Sequence, residues 1–220
     1  MSQSFDLVIF DCDGVLVDSE RVANEVFAQL LDEVCGLKFT LDDMFDTFVG
    51  HSRAQCLQKI EAMIGEPPPA ELDLRYQRDI DDALKQTVQA IDGIETVLQT
   101  LELPYCVASS GSHHKMKMTL GKTGLMRFVE GNIFSTSDVE LGKPHPDIYL
   151  HAARTMGFDD PSRCAVIEDS PIGVTGAVAA GMCVFGFAEL MPAHRLHEAG
   201  AHHVFERMHD LPDLITTHDS

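Results

Sequence analysis

The chain is poor in positive charge, contains no tryptophan and has no long apolar run. Its 220 residues include 16 Lys and Arg against 35 Asp and Glu, which gives a formal net charge of −19. Nucleic acids and anionic membranes repel such a chain, so we expect neither as a partner. No apolar stretch approaches the ~20 residues that cross a bilayer. The first residues lack the features of a secretory signal, and we therefore expect a cytoplasmic protein.

The six cysteines are scattered along the chain and form no CxxC pair. This spacing favours neither a zinc site nor a disulfide framework. Cys12, Cys106 and Cys164 lie in or beside apolar, strand-like runs, so we expect buried, reduced thiols.

Short apolar runs alternate with longer helical patterns over most of the chain. Near-continuous apolar strands separated by helices are typical of a parallel sheet that is covered on both faces. The sequence therefore predicts an α/β fold with three layers, α/β/α. The predicted strands are 7–10, 104–108, 132–135, 164–168, 182–187 and 202–205, and the predicted helices between them are 92–101, 113–123, 145–156, 171–180 and 191–198.

The stretch 19–88 interrupts this alternation, because it has helical patterns and no convincing strand. Val22, Val26 and Leu30 recur at helical spacing, and the EPPPAE segment at 66–71 ends one helix before another begins. We expect a small inserted helical domain over 18–88. The core domain then consists of 1–17 plus 89–220.

The first chemically informative segment is FDLVIFDCDGVLVDSE at 5–20. Asp11 and Asp13 follow an apolar run and stand two residues apart, so an extended apex can aim both carboxylates into one pocket. An exposed turn is the alternative for this motif alone. A calcium loop is excluded, because Val15 and Leu16 occupy the positions where such a loop needs an oxygen ligand and a glycine.

Three further polar segments follow predicted strands or precede predicted helices: 109–112 (SSGS), 142–147 (GKPHPD) and 168–170 (EDS). The carboxyl ends of parallel strands meet at one edge of a sheet, so all four motifs can face one crevice. The crevice would then contain the carboxylates of Asp11, Asp13, Glu168 and Asp169.

So many carboxylates cannot lie together uncompensated, and a hard divalent cation such as Mg²⁺, which prefers oxygen ligands, would resolve the repulsion. Together with the Ser109 hydroxyl, backbone N–H groups and the Lys143 ammonium, the set suits a phosphoryl group. The alternative for Lys143 alone is a solvated surface lysine.

The four motifs together resemble those of the haloacid dehalogenase superfamily, in the branch of sugar-phosphate phosphatases, phosphoglycolate phosphatases and beta-phosphoglucomutase. They occur in the family's order, and the resemblance covers essentially the whole chain. The resemblance implies a Rossmann-like core with a helical cap, Mg²⁺ as cofactor, and a small phosphate ester as substrate.

The resemblance also implies a role for each motif residue. Asp11 would be the nucleophile that forms an aspartyl phosphate, and Asp13 the general acid and base. Ser109 and the N–H of Ser110 would hold the phosphoryl oxygens, while Lys143 would neutralise Asp11 and the transferring group. The predicted metal ligands are Asp11, Asp13, Asp169 and, directly or through water, Glu168.

Asp13 favours cleavage of a phosphorus–oxygen bond, because the dehalogenases of the superfamily have no aspartate at that position. A phosphatase is therefore the first choice. The cap segment with Gly50, Ser52 and Arg53 resembles the loop of beta-phosphoglucomutase whose arginine grips a second phosphate, although an ordinary N-cap followed by a solvated arginine fits equally well. The alternative function is a mutase. Beta-phosphoglucomutase has a histidine 12 residues after its nucleophile, and this chain has Ala23 there, which disfavours that alternative.

Gly111 belongs to the second motif, and His113 and Lys115 follow it. We expect these three residues to line the phosphate pocket. For His113, a solvated position on the helix surface is the alternative. A non-catalytic phosphate sensor is the least favoured function, since Asp11 and Asp13 are both present. We expect a monomer or a weak homodimer.

Overall fold

The computed structural model describes residues 5–49, 51 and 53–217. Gly50 and Ser52, which the sequence places in a substrate-binding loop, therefore lie outside the described residues. No helix among the described residues is both long enough and apolar enough to cross a bilayer.

The centre of the fold is a parallel sheet. The apolar run Leu7–Phe10 forms its first strand, and all four side chains are fully buried. The strands are β1 (Leu7–Phe10), β2 (Tyr105–Ser109), β3 (Ile133–Ser135), β4 (Cys164–Glu168), β5 (Cys183–Phe187) and β6 (His203–Phe205). They are ordered β3-β2-β1-β4-β5-β6 and all pair in parallel.

This strand order is that of a Rossmann-like fold. The chain first moves outward from β1 to β3 and then returns to place β4 on the other side of β1. Because crossovers between parallel strands are right-handed, connections that run in opposite directions cover opposite faces of the sheet. The α/β fold class and its parallel sheet, both predicted from sequence, are confirmed.

Helices follow most strands. The described helices are α1 (Ser19–Cys35), α2 (Leu41–Phe48), α3 (Arg53–Ile64), α4 (Ala70–Thr87), α5 (Ile94–Thr100), α6 (His113–Lys122), α7 (Met126–Val129), α8 (Asp147–Thr155), α9 (Pro171–Ala179), α10 (Ala193–Glu198) and α11 (Leu211–Thr217). The predicted strands 7–10 and 164–168 match β1 and β4 in full, and the ends of the other listed predictions differ from the observed ones by at most two residues. Two short helices, α7 and α11, were not predicted.

The chain divides into two compact units: Met1–Asp18 with Gln89–Ser220, and Ser19–Val88. The first unit contains the sheet. Its two connecting segments pair with each other, since the Asp18 amide donates to the Gln89 carbonyl at 3.0 Å and the Ile91 amide to the Leu16 carbonyl at 3.0 Å.

The second unit consists of α1 to α4 around its own apolar core. Leu31, Met44, Ile60 and Leu72 are fully buried there, one from each helix. Thr40 caps α2 with a reciprocal pair of bonds to Asp43, which fixes where this helix begins. The insert thus has a core of its own.

Candidate active site

The first and fourth motifs lie side by side, because β1 and β4 are neighbours. Phe10 pairs with Ile167, and the Asp11 amide donates to the Ile167 carbonyl at 2.9 Å. Asp11 thereby follows the end of β1 next to Glu168, the last residue of β4. The strand order reverses between these two strands, and open α/β sheets bind ligands at such a point.

Lys143 joins these two strand ends. Its Nζ donates to Asp11 Oδ1 at 2.5 Å and to Glu168 Oε1 at 2.6 Å. The lysine side chain is only 3% exposed. Burial alone would lower the pKa of this ammonium, but Asp11 and Glu168 raise it well above its ordinary value, so Lys143 stays charged. A buried, permanent positive charge therefore lies against the predicted nucleophile.

Glu168 is fully buried and is held by several donors. Oε1 accepts from Lys143 and from the Tyr149 hydroxyl at 2.9 Å, while Oε2 accepts from the amide and hydroxyl of Ser170 at 3.0 and 2.9 Å. Each of these bonds offsets part of the cost of burying the carboxylate. Glu168 therefore anchors Lys143, whereas its role as a metal ligand stays a prediction.

The Asp11 carboxyl is also buried. Burial raises its pKa to about 7 despite the opposing charge of Lys143, and Glu168 and Asp13 contribute in the same direction as burial. A nucleophile must be ionised, and further positive charge beside Asp11 would favour that form.

Asp13 is paired with a different lysine. Lys115 Nζ lies 2.8 Å from Asp13 Oδ1, and the two side chains are 34% and 18% exposed. Lys115 belongs to the first turn of α6, directly after the second motif. The two predicted reacting carboxylates therefore each contact their own ammonium group.

The second motif forms the turn between β2 and α6. Ser109 is buried at the end of β2, and its Oγ accepts from the Gly111 amide at 3.0 Å. Ser112 caps α6 by accepting from the Lys115 amide at 3.2 Å, while Ser110 is exposed. The turn thus presents a hydroxyl and a helix N-terminus, both of which suit phosphate oxygens.

His113 lies at the start of α6, close to the second motif. Its Nε2 is 2.9 Å from the Asp138 carboxylate, and its side chain is 40% exposed. Asp138 in turn accepts from the Ser135 amide at the end of β3. The imidazole is therefore held towards Asp138. To contact a bound phosphate through this nitrogen, His113 would have to give up its bond to Asp138.

Asp169 packs against the backbone that follows Asp13. Gly14 has φ +79°, and a Cβ at this glycine would lie 2.0 Å from Asp169 Oδ2. Only a residue without a side chain tolerates both the left-handed conformation and this approach. Glycine at position 14 thus allows the first and fourth motifs to approach each other closely.

The oxygen donors at these strand ends suit a hard divalent cation. Asp11, Asp13, Glu168 and Asp169 carry more negative charge than Lys143 and Lys115 compensate. Within the described part of the chain, no three His, Cys, Asp or Glu side chains are already arranged around one point. The lysines hold three of the four carboxylates instead. The donor set therefore fits Mg²⁺ by its chemistry and excess charge.

Arg53, the predicted cap residue, lies in the second unit and is already paired. Its Nε donates to Asp73 Oδ1 at 2.7 Å, and Nη2 contacts the same oxygen. The guanidinium lies over the rings of Phe27 and Tyr76, 4.8 and 5.4 Å from their centroids. These groups border a cavity of about 200 Å³, which Ala23 also lines.

Sequence reasoning missed Tyr149 and Gly173. The Tyr149 hydroxyl lies 2.9 Å from Glu168 Oε1 and 3.1 Å from the Gly173 carbonyl oxygen. The only signal was a tyrosine on the apolar face of the helix that follows GKPHPD. Gly173 resembled an ordinary helix residue, because its contact with Glu168 appears only in three dimensions.

Comparison with known proteins gives the family. A model of haloacid dehalogenase-like hydrolases matches residues 5–181. The chain is 28% identical to 6-phosphogluconate phosphatase of Escherichia coli over 83% of this chain and 82% of that protein. It is 30% identical to a probable pseudouridine-5'-phosphatase of Drosophila melanogaster over 94% and 90%.

A solved structure shows the same fold. A haloacid dehalogenase-like protein of unknown function from Agrobacterium tumefaciens is 40% identical and superposes with a TM-score of 0.91, covering 99% of this chain and 100% of that one. These matches extend over both units. The chain belongs to the haloacid dehalogenase-like hydrolase family.

Proposed function

We propose that this protein is a Mg²⁺-dependent phosphatase that hydrolyses a small phosphate monoester, such as a sugar phosphate, through an aspartyl phosphate. The observation that carries the proposal is the buried arrangement Asp11–Lys143–Glu168, with Asp13 two residues beyond the nucleophile. Family membership and the phosphatase relatives support the phosphatase activity.

The proposed reaction has two steps. A carboxylate oxygen of Asp11 attacks phosphorus, the bond from phosphorus to the ester oxygen breaks, and that oxygen takes its electron pair and the proton of Asp13. Water then gives a proton to Asp13 and attacks the aspartyl phosphate. This step releases inorganic phosphate and restores the Asp11 carboxylate.

Lys143 prepares Asp11 for this chemistry. Its bond to Oδ1 orients the carboxylate, and its charge offsets the repulsion between an ionised Asp11 and an anionic phosphoryl group. Glu168 keeps the lysine in place and is the positioning residue in this arrangement.

The other first-unit residues would hold the phosphoryl group. We assign its oxygens to the Ser109 hydroxyl, the Ser110 amide and the backbone turn at Gly111, with His113 at the margin. When bound, Mg²⁺ would neutralise charge on the phosphoryl oxygens. Its proposed ligands are the carboxylates of Asp11 and Asp169, the Asp13 backbone carbonyl and Glu168, directly or through water.

The cap would recognise the remainder of the substrate, with Gly50, Ser52 and Arg53 as the proposed contacts. Arg53 is the only one of these three that the structure describes. Its pairing with Asp73 reduces the charge it offers to an anionic group.

A phosphosugar mutase is the second candidate, favoured by the resemblance of the segment that ends at Arg53 to the mutase loop. Two features weigh against it. Ala23 stands where the mutase has a histidine, and a second phosphate at Arg53 would have to displace Asp73.

A panel of metabolite phosphates, assayed with Mg²⁺ and with chelator, tests the phosphatase proposal. We expect Mg²⁺-dependent release of inorganic phosphate, which Asp11→Asn abolishes and Asp159→Asn, an exposed control, leaves unchanged. Turnover that survives Asp11→Asn would overturn the mechanism. Conversion of one sugar monophosphate into another, dependent on a bisphosphate activator, would instead indicate the mutase.

A further inference from the structure

We infer that Lys115 is a positioning residue for Asp13, which it orients for proton transfer to the leaving oxygen. This inference rests on the proposed function, since it concerns the acid and base of that reaction. The resemblance assigned Lys115 no role.

The N-terminal cap of α6 fixes the backbone of Lys115. The Ser112 hydroxyl caps the helix by accepting from the Lys115 amide itself, so the backbone at this residue is held by the cap. From there the side chain reaches the Asp13 carboxylate, and Nζ lies 2.8 Å from Oδ1. Both side chains are partly buried, so water screens the pair less than it screens a surface ion pair.

The other carboxylate oxygen of Asp13, Oδ2, faces the turn of the second motif, 109–112, which we propose binds the phosphoryl group. A Cβ at Gly111 would lie 3.3 Å from Asp13 Oδ2 and 3.3 Å from Ser109 Oγ. Both atoms therefore border the space that the missing side chain keeps open. With Oδ1 on Lys115, Oδ2 is turned towards the region where the ester oxygen would leave.

Lys143 pairs with Asp11 and Glu168, whereas Lys115 pairs with Asp13. The two lysines therefore have different proposed roles. A buried lysine stabilises the nucleophile and the transferring group, and a partly exposed lysine orients the acid and base. A misplaced general acid costs rate even when binding is intact.

The sharpest test compares two esters that differ in the basicity of the leaving group. p-Nitrophenolate leaves readily without a proton, whereas phenolate needs protonation more. Lys115→Met should therefore lower kcat/KM for phenyl phosphate about 10-fold more than for p-nitrophenyl phosphate. kcat/KM reports the first phosphoryl transfer, so slow hydrolysis of the intermediate does not mask the difference.

Matched variants distinguish a loss of Asp13 orientation from a nonspecific loss of activity. Lys117→Met, an exposed lysine on the same helix, should leave both esters unaffected, and Lys115→Arg should restore most of the loss. In an Asp13→Asn background, Lys115→Met should cause little further loss, because the group it positions is gone. Thermal unfolding checks that each variant is folded, and Lys115→Gln replaces Lys115→Met if that variant does not fold.

Equal losses on the two esters, a loss confined to KM, or no loss at all would overturn the inference. So would losses that add fully in the Asp13→Asn background. A wild-type protein that hydrolyses neither ester would instead overturn the proposed function, and the inference with it.

Discussion

Gly173 and Glu168 are in such close contact that a Cβ at the glycine would lie 1.8 Å from Glu168 Oε1. The first turn of α9 therefore admits the buried carboxylate only because position 173 has no side chain. Since Glu168 also holds Lys143, Gly173 supports the position of the Lys143 ammonium without any proposed contact with substrate.

Gly173→Ala should consequently displace Glu168 and loosen Lys143. Forcing a methyl group into this contact should cost about 1–3 kcal/mol in the free energy of unfolding and most of the phosphatase activity. Gly121→Ala is the matched control, because a Cβ at this glycine of α6 would meet no atom within 4 Å. Denaturant unfolding and steady-state assays of both variants check this, and equal behaviour of the two would contradict it.

Tyr149→Phe should remove one donor from Glu168 while keeping the ring. The loss of a hydrogen bond to a buried carboxylate should lower stability by about 1–3 kcal/mol and reduce activity several-fold through Glu168 and Lys143. Tyr105→Phe is the control, because that hydroxyl donates to the Leu98 carbonyl at 3.0 Å instead. A Tyr149→Phe enzyme with unchanged kcat would show that Lys143 does not depend on this support.

Asp11 should make the metal-free protein less stable as the pH rises. Its pKa is about 7 in the folded state against an ordinary value of 3.8, so between these values the folded protein retains a proton that the unfolded chain has released. Stability then falls as the pH rises through this window. Asp11→Asn should match the wild type near pH 4 and exceed it by up to about 4 kcal/mol at pH 8.

The measurement is denaturant unfolding in chelator at several pH values, with Asp159→Asn as an exposed control. Parallel stability curves for the wild type and Asp11→Asn would show that Asp11 does not titrate in this range.

The pairing of Arg53 with Asp73 should limit the affinity for anionic substrate tails. If Arg53 contacts the anionic part of the substrate, as proposed, Asp73→Asn should raise kcat/KM for a sugar-acid phosphate about 3- to 5-fold relative to a sugar-alcohol phosphate. Asp82→Asn on the same helix, an exposed aspartate that pairs with Lys85, should not change the ratio. An unchanged ratio in Asp73→Asn as well would remove Arg53 from tail recognition.

The pattern of apolar and polar residues along the chain was sufficient to predict a parallel sheet and to place the candidate site residues at the ends of its strands. The run Leu7–Phe10 is apolar throughout because it is buried on both faces, and the acidic residues that follow β1 and β4 meet because parallel strands end at one edge. Both inferences depend only on neighbouring residues and on the geometry of a parallel sheet.

Contacts between distant parts of the chain could not be predicted in the same way. Asp73 lies on α4, and nothing in its local sequence indicates that it pairs with Arg53 on α3. Tyr149 lies on α8 and Gly173 on α9, and both residues contact Glu168. Such contacts are set by how the helices pack, which periodicity and motif spacing do not specify.

The central claim is that Asp11 carries the phosphoryl group during turnover. The most direct measurement is to quench the enzyme during turnover, reduce any acyl phosphate with borohydride, and map the modified peptide. We predict homoserine at position 11 and at no other aspartate, dependent on both substrate and Mg²⁺. An unmodified Asp11 in an enzyme that is actively releasing phosphate, or a modification at another aspartate, would contradict the account.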